Sequence, residues 1–445
     1  MRVHLVGIGG AGQSALAHLY LERGDTVSGS DASASAVTEA LVAGGARIAI
    51  GHDAANLQEA ELVVISTAIG EENPELRAAR ERGLRVILRG RAAAEIAAPY
   101  RQVAIAGTHG KTTTTTMTAT ALEHLDPLVL NGGRLPGSTF NSRGGNGAVA
   151  VIEADESDGS FLELEPEVGV VTNIEADHLD HYRDLGEIRL AFEHFADRIS
   201  STLVACVDDE GARRLLQAAP GDVVSYGFDS AEVRGSDYRP DAGGCTFRLA
   251  SSWGVAEVVL PVPGRHNARN AMAAVAAGLS LDQPLDVLVA ALATVALPGR
   301  RMELVAEVNG ARVYDDYSHH PTEVAAAVSA AREMGPSRVV VAFQPHMYTR
   351  VHNFRDAFAD ALLLADDVVL LPVYAARDAP IPGADSASLA AAIRARDPHK
   401  PVTLLDGVDA LPGHLRATAR AGDIVICMGA GDINRASREL AGAAA

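Results

Sequence analysis

Residues 107–116, GTHGKTTTTT, hold one of only two lysines in a chain with 38 lysine and arginine side chains; the other is Lys400. Lys111 stands between Gly110 and Thr112. A compact, mobile ammonium is not interchangeable with the flat guanidinium used almost everywhere else here, and it suits phosphate oxygens. The residues before it, QVAIAG, read as a short buried strand, and Thr112 to Leu122 read as a helix. Strand, glycine loop, lysine, hydroxyl and helix make a nucleotide-phosphate cradle. Loop N–H groups from Gly107, Thr108, His109 and Gly110 and the helix start at Thr112 and Thr113 face the anion; Lys111 reaches the outer phosphates. The commonest pattern, GxxxxGK[ST], needs a glycine where this chain has Ile105. A plain Gly/Thr-rich turn would leave the lone lysine unexplained.

A second glycine turn opens the chain. Strand, Gly7, Gly9, Gly10 and Gly12, then a helix and a second strand ending near Asp31, form a phosphate-binding turn that, taken alone, is a dinucleotide fingerprint. The strand ELVVISTAIG ends in a hydroxyl turn at Ser66 and Thr67. Ligands of open parallel sheets sit at the carboxyl ends of strands, and two further strands end in Glu153 and run on to His178. Thr112, Glu153 and His178 are therefore candidate magnesium ligands; oxygen donors suit that ion, and histidine is a less usual partner for it. Glu153, Asp155, Glu156 and Asp158 are close enough in sequence that spacing does not decide which touches metal. His319, His320 and His346 also follow strands, and their spacing defines no metal site.

The elements that must position these groups are strands alternating with Ala-rich helices, an α/β pattern. At 445 residues the chain is too long for one core. Polar residues before Gln102 and the Pro298-Gly299 pair mark breaks, giving expected domains at 1–90, 91–298 and 299–445. The first and last read as Rossmann-like, the last doubly wound and parallel from Arg312 onward. The middle reads as a P-loop ATPase-type domain with a mostly parallel sheet, antiparallel between Asp229 and Pro263. A net charge of −19 without a basic stripe excludes a general nucleic-acid binder. No run approaches ~20 apolar residues, so no membrane span is expected. MRVHLVGIGG reads as a strand rather than a secretory signal, and Cys206, Cys245 and Cys427 as isolated reduced core residues, which together imply a cytoplasmic protein.

Nine stretches resemble the Mur ligase family in family order: GIGGAG at 7–12, GTHGKTTTT at 107–115, EADESDGSF at 153–161, NIEADHLDHY at 173–182, HNARN at 266–270, PGRRME at 298–303, DDYSHHPTEV at 315–324, FQPHMYTR at 343–350 and GAGDI at 429–433. The resemblance is strongest to the branch that starts the peptidoglycan peptide. It implies ATP- and Mg2+-dependent joining of L-alanine to the lactyl carboxylate of UDP-N-acetylmuramate through an acyl phosphate, by a monomer or weak homodimer. It assigns the UDP-sugar to Gly7, Gly9, Gly10, Gly12, Asp31, Ser66 and Thr67, and ATP phosphates to Gly107 through Thr113. Asn267 and Asn270 go to the adenine, Arg301 and Asp316 to phosphate and ribose, and His319, His346 and Arg350 to the amino acid. Lys111, Glu153, His178 and Arg301 carry catalysis, and Thr112, Glu153 and His178 the metal. Sister ligases carry a carbamylated lysine near the metal; no lysine lies between Lys111 and Lys400, which favours the alanine-adding branch. Met347 stands where many relatives have arginine, leaving Arg350 to hold the alanine carboxylate. Two other readings remain: a recycling ligase that attaches a preformed peptide to UDP-N-acetylmuramate and, more distantly, an NAD-dependent oxidoreductase.

Overall fold

The structure, a computed structural model, describes residues 1–179, 181–376 and 378–442. Strands β1 (Arg2–Val6), β2 (Thr26–Asp31), β3 (Arg47–Ile50), β4 (Leu62–Ile65) and β5 (Arg85–Leu88) pair in the order β3-β2-β1-β4-β5, all parallel. The strand order reverses between β1 and β4. The crevice at their carboxyl ends is the topological switch point, where such sheets bind ligands. The Gly7–Gly12 turn follows β1, and Ser66 and Thr67 follow β4.

The second sheet holds β6 (Arg101–Ala106), β7 (Leu128–Leu130), β8 (Ser142–Arg143), β9 (Val149–Glu153), β10 (Val168–Val171), β11 (Thr202–Cys206), β12 (Asp222–Gly227), β13 (Val233–Pro240), β14 (Cys245–Ser251) and β15 (Gly254–Leu260). Their order is β15-β14-β13-β12-β11-β10-β6-β9-β7-β8. From β7 to β12 the pairs are parallel, and such strands, covered on both faces, are near-continuous Val/Ile/Ala runs: VAIA in β6, VAVI in β9 and VGVV in β10 are wholly buried. The connections β13-β14 and β14-β15 are too short for a parallel crossover, so these neighbours turn back as hairpins, as the sequence pattern implies. Central β6 lies between β9 and β10, so the carboxyl ends of all three meet.

The third sheet holds β16 (Glu303–Val308), β17 (Ala311–Asp316), β18 (Arg338–Phe343), β19 (Asp367–Leu370), β20 (Val402–Leu404) and β21 (Asp423–Met428), in the order β16-β17-β21-β18-β19-β20. From Arg312 onward the pairs β17-β21, β21-β18, β18-β19 and β19-β20 are parallel, as expected, and β16, which precedes that stretch, joins the edge antiparallel to β17. The physical reason is Asn309-Gly310, both at positive φ (52° and 78°), a two-residue turn that matches strand twist. One apolar core lies on each face of this sheet, around Phe343, Phe358 and Ile426 and around Val340, Leu411 and Cys427. By contacts the chain forms two compact units, Met1–Asp237 with Phe247–Val259 and Ala268–Pro298, and Gly299–Ala445 with Tyr238–Thr246 and Leu260–Asn267. Among the described residues no helix is long and apolar enough to cross a membrane.

A buried polar network supports the first glycine turn. Glu75 is wholly buried and accepts hydrogen bonds from Ser30 Oγ (2.6 Å) and Asn56 Nδ2 (2.7 Å), with His52 Nδ1 at 3.1 Å and His4 Nε2 at 3.7 Å. The carbonyl of Ser30 accepts the N–H groups of Gly7 and Ile8, so the network fixes the turn's entry. Burial works against the Glu75 carboxylate, but these donors outweigh it and hold its pKa down to about 2. A depressed folded-state pKa gives a stabilising contribution that is complete above the unfolded value of about 4.5 and is lost as the pH falls through about 2. Glu75→Ala should therefore cost about 3 kcal/mol at pH 7 and less than half of that at pH 3. Urea titrations of both proteins across this range check it, and a deficit that does not change with pH refutes it.

Candidate active site

Lys111 opens the Lys111–Ala121 helix, whose N-cap, Gly110, has left-handed φ of 81°. Five consecutive threonines are poor helix formers, and tertiary contacts hold them: eight of the first nine residues, Thr112 through Ala119, are buried. Thr116, Thr118 and Thr120 hydroxyls each donate to the carbonyl four residues back, satisfying themselves inside the helix. The loop is stapled to the segment after β10. Thr108 N donates to Asn173 O, His109 N to Asn173 Oδ1 (2.8 Å), and Thr172 Oγ1 to His109 O (2.6 Å). Gly107 sits at φ 132°, where a Cβ would come within 2.0 Å of Thr172 Oγ1. The cradle is thus preformed by two neighbouring strands.

Lys111 is not an exposed loop residue; its side chain is 12% exposed. Its Nζ donates to Gly107 O (2.6 Å), Thr108 O (3.1 Å) and Glu156 Oε1 (2.9 Å). Burial works against its charge, and the carboxylates of Glu156, Asp155 and Glu153 outweigh it, holding the ammonium above its ordinary range. Burial pushes Glu156 up to about 7 even with Lys111 beside it. Glu153 is raised by burial too, against Lys111, a hydrogen bond from Gly132 N (2.7 Å) and the Thr112 hydroxyl. His178, at φ 51°, places Nε2 3.6 Å from Glu156 Oε1.

The three sequence candidates for metal are therefore divided. Thr112 and Glu153 meet directly, whereas His178 lies against Glu156, which sequence reasoning left among four acids. Thr112 offers a hydroxyl and Glu153 a half-buried carboxylate, and these oxygen donors fit magnesium. His109 Nε2 lies 3.5 Å from Glu175 Oε2. Asn270 packs its Oδ1 against Gly110, 3.0 Å from where a Cβ would stand, and Asn267, one turn earlier, donates to Pro263 O (2.7 Å).

In the first sheet, Gly7 has φ 73° and Gly9 N donates to Asp31 Oδ2 (2.8 Å). Asp31 also accepts Ser33 N, so it helps to shape the turn. Ser66 is half-buried and Thr67 exposed, beside the turn's strand β1.

Within the third sheet, the carboxyl ends of β17, β21 and β18 gather another set. Asp316 is buried, accepts Met302 N (2.8 Å) and Ser318 N (2.9 Å), and burial raises its pKa. Arg301 lies over the Tyr317 ring at 5.3 Å, and Arg300 over the same ring at 4.9 Å. Arg300 Nε is 3.4 Å from Asp315, which burial pushes up to about 6. Arg300 and Met302 both have positive φ (62° and 49°), so the backbone on either side of Arg301 is strained. His346 stacks on Tyr374 (5.7 Å, 11°), meets His319 edge-on (5.9 Å), and receives Arg350 Nη1 at Nδ1 (3.2 Å). The structure thus brings His319, His346 and Arg350 together. Arg300, Tyr317 and Tyr374 were missed; Tyr317 and Tyr374 follow the parallel-paired strands β17 and β19, which was the available signal, whereas Arg300 precedes β16 and carried none.

The chain matches three family models: residues 2–101 that of the Mur ligase family, catalytic domain, residues 105–278 the Mur ligase middle domain, and residues 300–431 the Mur ligase, glutamate ligase domain. It is 48% identical over 440 residues to the UDP-N-acetylmuramate–L-alanine ligase of Acidothermus cellulolyticus, covering 97% of this chain and 92% of that one. The corresponding ligase of Mycolicibacterium smegmatis is 44% identical over 458 residues, 99% and 94% of the two chains. The solved UDP-N-acetylmuramate-alanine ligase of Thermotoga maritima has a TM-score of 0.84 at 30% identity, covering 100% and 99%. A murein peptide ligase from Psychrobacter arcticus gives 0.72 at 26% identity, covering 100% and 98%. The chain belongs to the Mur ligase family.

The preformed loop leaves no room for a side chain at Gly107. Gly107→Ala should destabilise the protein by more than about 2 kcal/mol and abolish ADP binding, since it adds both a forbidden φ and a clash. Thermal melting and ADP calorimetry check this; wild-type affinity in the variant refutes it.

Proposed function

We propose that this chain is an ATP-dependent ligase that joins L-alanine to the lactyl carboxylate of UDP-N-acetylmuramate, giving UDP-N-acetylmuramoyl-L-alanine, ADP and phosphate for peptidoglycan synthesis. The observation that carries this reading is near-half identity, along almost the whole chain, to ligases of that name. The preformed lysine loop at the centre of the second sheet supports it independently of any name.

The chemistry divides among the residues as follows. Loop N–H groups from Gly107 to Thr113 hold the ATP phosphates, and Lys111 turns from Glu156 to the outer ones. Thr112 and Glu153 hold magnesium, with His178 joining them through its place beside Glu156. Bound there, the ion offsets charge on the transferring phosphoryl group. The lactyl carboxylate attacks the γ-phosphate to give an acyl phosphate and ADP; the alanine amine then attacks the acyl carbon and phosphate leaves. Lys111 and Arg301 stabilise the charge that moves during these steps, and holding the reactants in line supplies much of the remaining rate. Asn267 and Asn270 serve the adenine, and Asp316 the ribose. Gly7, Gly9, Gly10, Gly12, Ser66 and Thr67 receive the UDP-sugar at the switch point of the first sheet, with Asp31 shaping that turn. His319, His346 and Arg350 receive alanine. On this reading the chain has domains at 1–90, 91–298 and 299–445 and works as a monomer or weak homodimer.

The second reading, a ligase that attaches a preformed peptide, draws on the likeness to the murein peptide ligase, which is the weaker of the two structural likenesses in both identity and TM-score. Product formation from UDP-N-acetylmuramate and ATP, with single amino acids and a tripeptide offered separately, decides between them. Turnover with alanine and none with the peptide is the expected result. The reverse overturns the proposal.

Two substitutions probe the site. Lys111→Ala should abolish ligation while UDP-N-acetylmuramate still binds, because only the phosphate-directed charge is removed. Residual turnover near wild type would refute the loop assignment. Arg350→Ala should raise KM for alanine about 10- to 100-fold, since a guanidinium–carboxylate pair is worth ~1.5–3 kcal/mol and a decade costs ~1.4 kcal/mol. The constants for ATP and UDP-N-acetylmuramate should hold. Steady-state kinetics with each substrate varied in turn show whether the three move together, in which case Arg350 is not the alanine clamp.

A further inference from the structure

We propose that Arg89 is a substrate-positioning residue, which binds the diphosphate of the UDP-sugar at the Gly7–Gly12 turn and ties it to the acidic loop beside Lys111. This rests on the proposed place of the UDP-sugar and adds to it a side chain from outside the turn. Arg89 directly follows β5 and opens the Arg89–Ala97 helix. Its side chain reaches across the start of the Ala11–Glu22 helix so closely that a Cβ on Gly12 would stand 2.4 Å from its Cδ and 2.7 Å from Nη1. Gly12 is therefore required by the arginine, whatever else it does for a ligand.

The local charges explain why the arginine lies there. The Ala11–Glu22 helix begins at Gly10 with no side-chain cap, so its first-turn N–H groups point outward without an intrahelical acceptor. A guanidinium laid against that positive helix end is a like-sign pairing, unfavourable until an anion lies between them. Both carboxylate contacts of Arg89, to Asp158 (3.0 Å) and Asp155 (3.4 Å), use Nη2. The Nε and Nη1 end faces Gly12 and keeps N–H donors for a second anion. The side chain is 31% exposed, so a ligand can reach it. Burial works against its charge, and the two aspartates outweigh it and keep the guanidinium ionised.

The two aspartates place this contact in the reaction. Asp155 N-terminally flanks Glu156, and its carboxylate also acts on Lys111. Asp155 Oδ1 accepts Ser157 N and Asp158 Oδ1 accepts Ser160 N, so both are held by their own loop and give the arginine a fixed footing. Gly90, the next residue, leaves room for Ser160, whose Cβ would be 2.5 Å from a methyl there. One guanidinium thus spans from the turn of the first sheet to the loop that carries Glu153 and Glu156 on the second.

Calorimetry with UDP, UMP and uridine, each in the presence of saturating ADP, tests the proposal on wild type, Arg89→Ala and Arg89→Lys. Arg89→Ala should weaken UDP about 10- to 100-fold, UMP less, and uridine not at all, with ADP affinity unchanged and partial recovery in Arg89→Lys. A structural tie between the two sheets would instead lower all three ligands alike, or lower ADP with them. Either result overturns the proposal, as does unchanged UDP affinity in Arg89→Ala. Should Arg89→Ala not fold, the same ligand series on Arg89→Lys decides, where a loss that does not depend on phosphate number overturns it. Failure of wild type to bind UDP is a distinct outcome: it removes the UDP-sugar from this turn and takes the proposal with it.

Discussion

A nearly buried ammonium paired with a buried carboxylate is the constraint on which the central site depends. Lys111 and Glu156 cannot be desolvated singly without a cost of several kcal/mol each, and the half-buried Glu153 and Asp155 add their charge to the pair. They are tolerable only together, and only because β6 and β9 are neighbours whose carboxyl ends deliver them to one place. The raised position of Glu156 and the raised position of Lys111 are two faces of that arrangement. Excess negative charge is left over, and it is what makes the site receptive to a divalent cation bound with an anionic nucleotide.

The backbone around this cluster is rigid where the charges need it to be. The loop from Gly107 to Gly110 borrows hydrogen-bond partners from the segment after β10, and the helix satisfies the hydroxyls of Thr116, Thr118 and Thr120 internally. Such a loop does not have to organise itself when phosphate arrives, which is the general advantage of preformed donors in phosphoryl transfer. The first glycine turn follows the same logic by a different route. There the support is a buried acid, Glu75, holding Ser30, whose carbonyl in turn holds Gly7.

An acidic protein that handles phosphate and carboxylate groups needs its cations to be local and fixed. Here they are few and each is anchored by aspartate or glutamate: Lys111 on Glu156, Arg89 on Asp155 and Asp158, Arg300 on Asp315. Arg301 and Arg350 are held by aromatic or imidazole neighbours instead, Tyr317 and His346. The net charge of −19 therefore says little about the sites themselves. It reflects the rest of the surface, where exposed ion pairs contribute little to stability.

What the sequence determined alone is whatever neighbours along the chain impose. The glycine–lysine–threonine spacing, the strand–helix alternation, the hairpin region after Asp229 and the left-handed glycines at Gly7 and Gly110 are local consequences of backbone sterics and side-chain periodicity. The Asn309-Gly310 turn belongs with them, since its residues announce a hairpin. The tertiary structure decided what depends on strand order. It placed Glu156, 45 residues away, on Lys111 and beside His178, and set Glu153 against Thr112 and Gly132. It set Asp31 against the N–H of Gly9, and it laid Arg89 across Gly12. No spacing rule contains these, because a carboxylate's role is set by which charges share its desolvated space. That sharing is fixed only when distant strands pair.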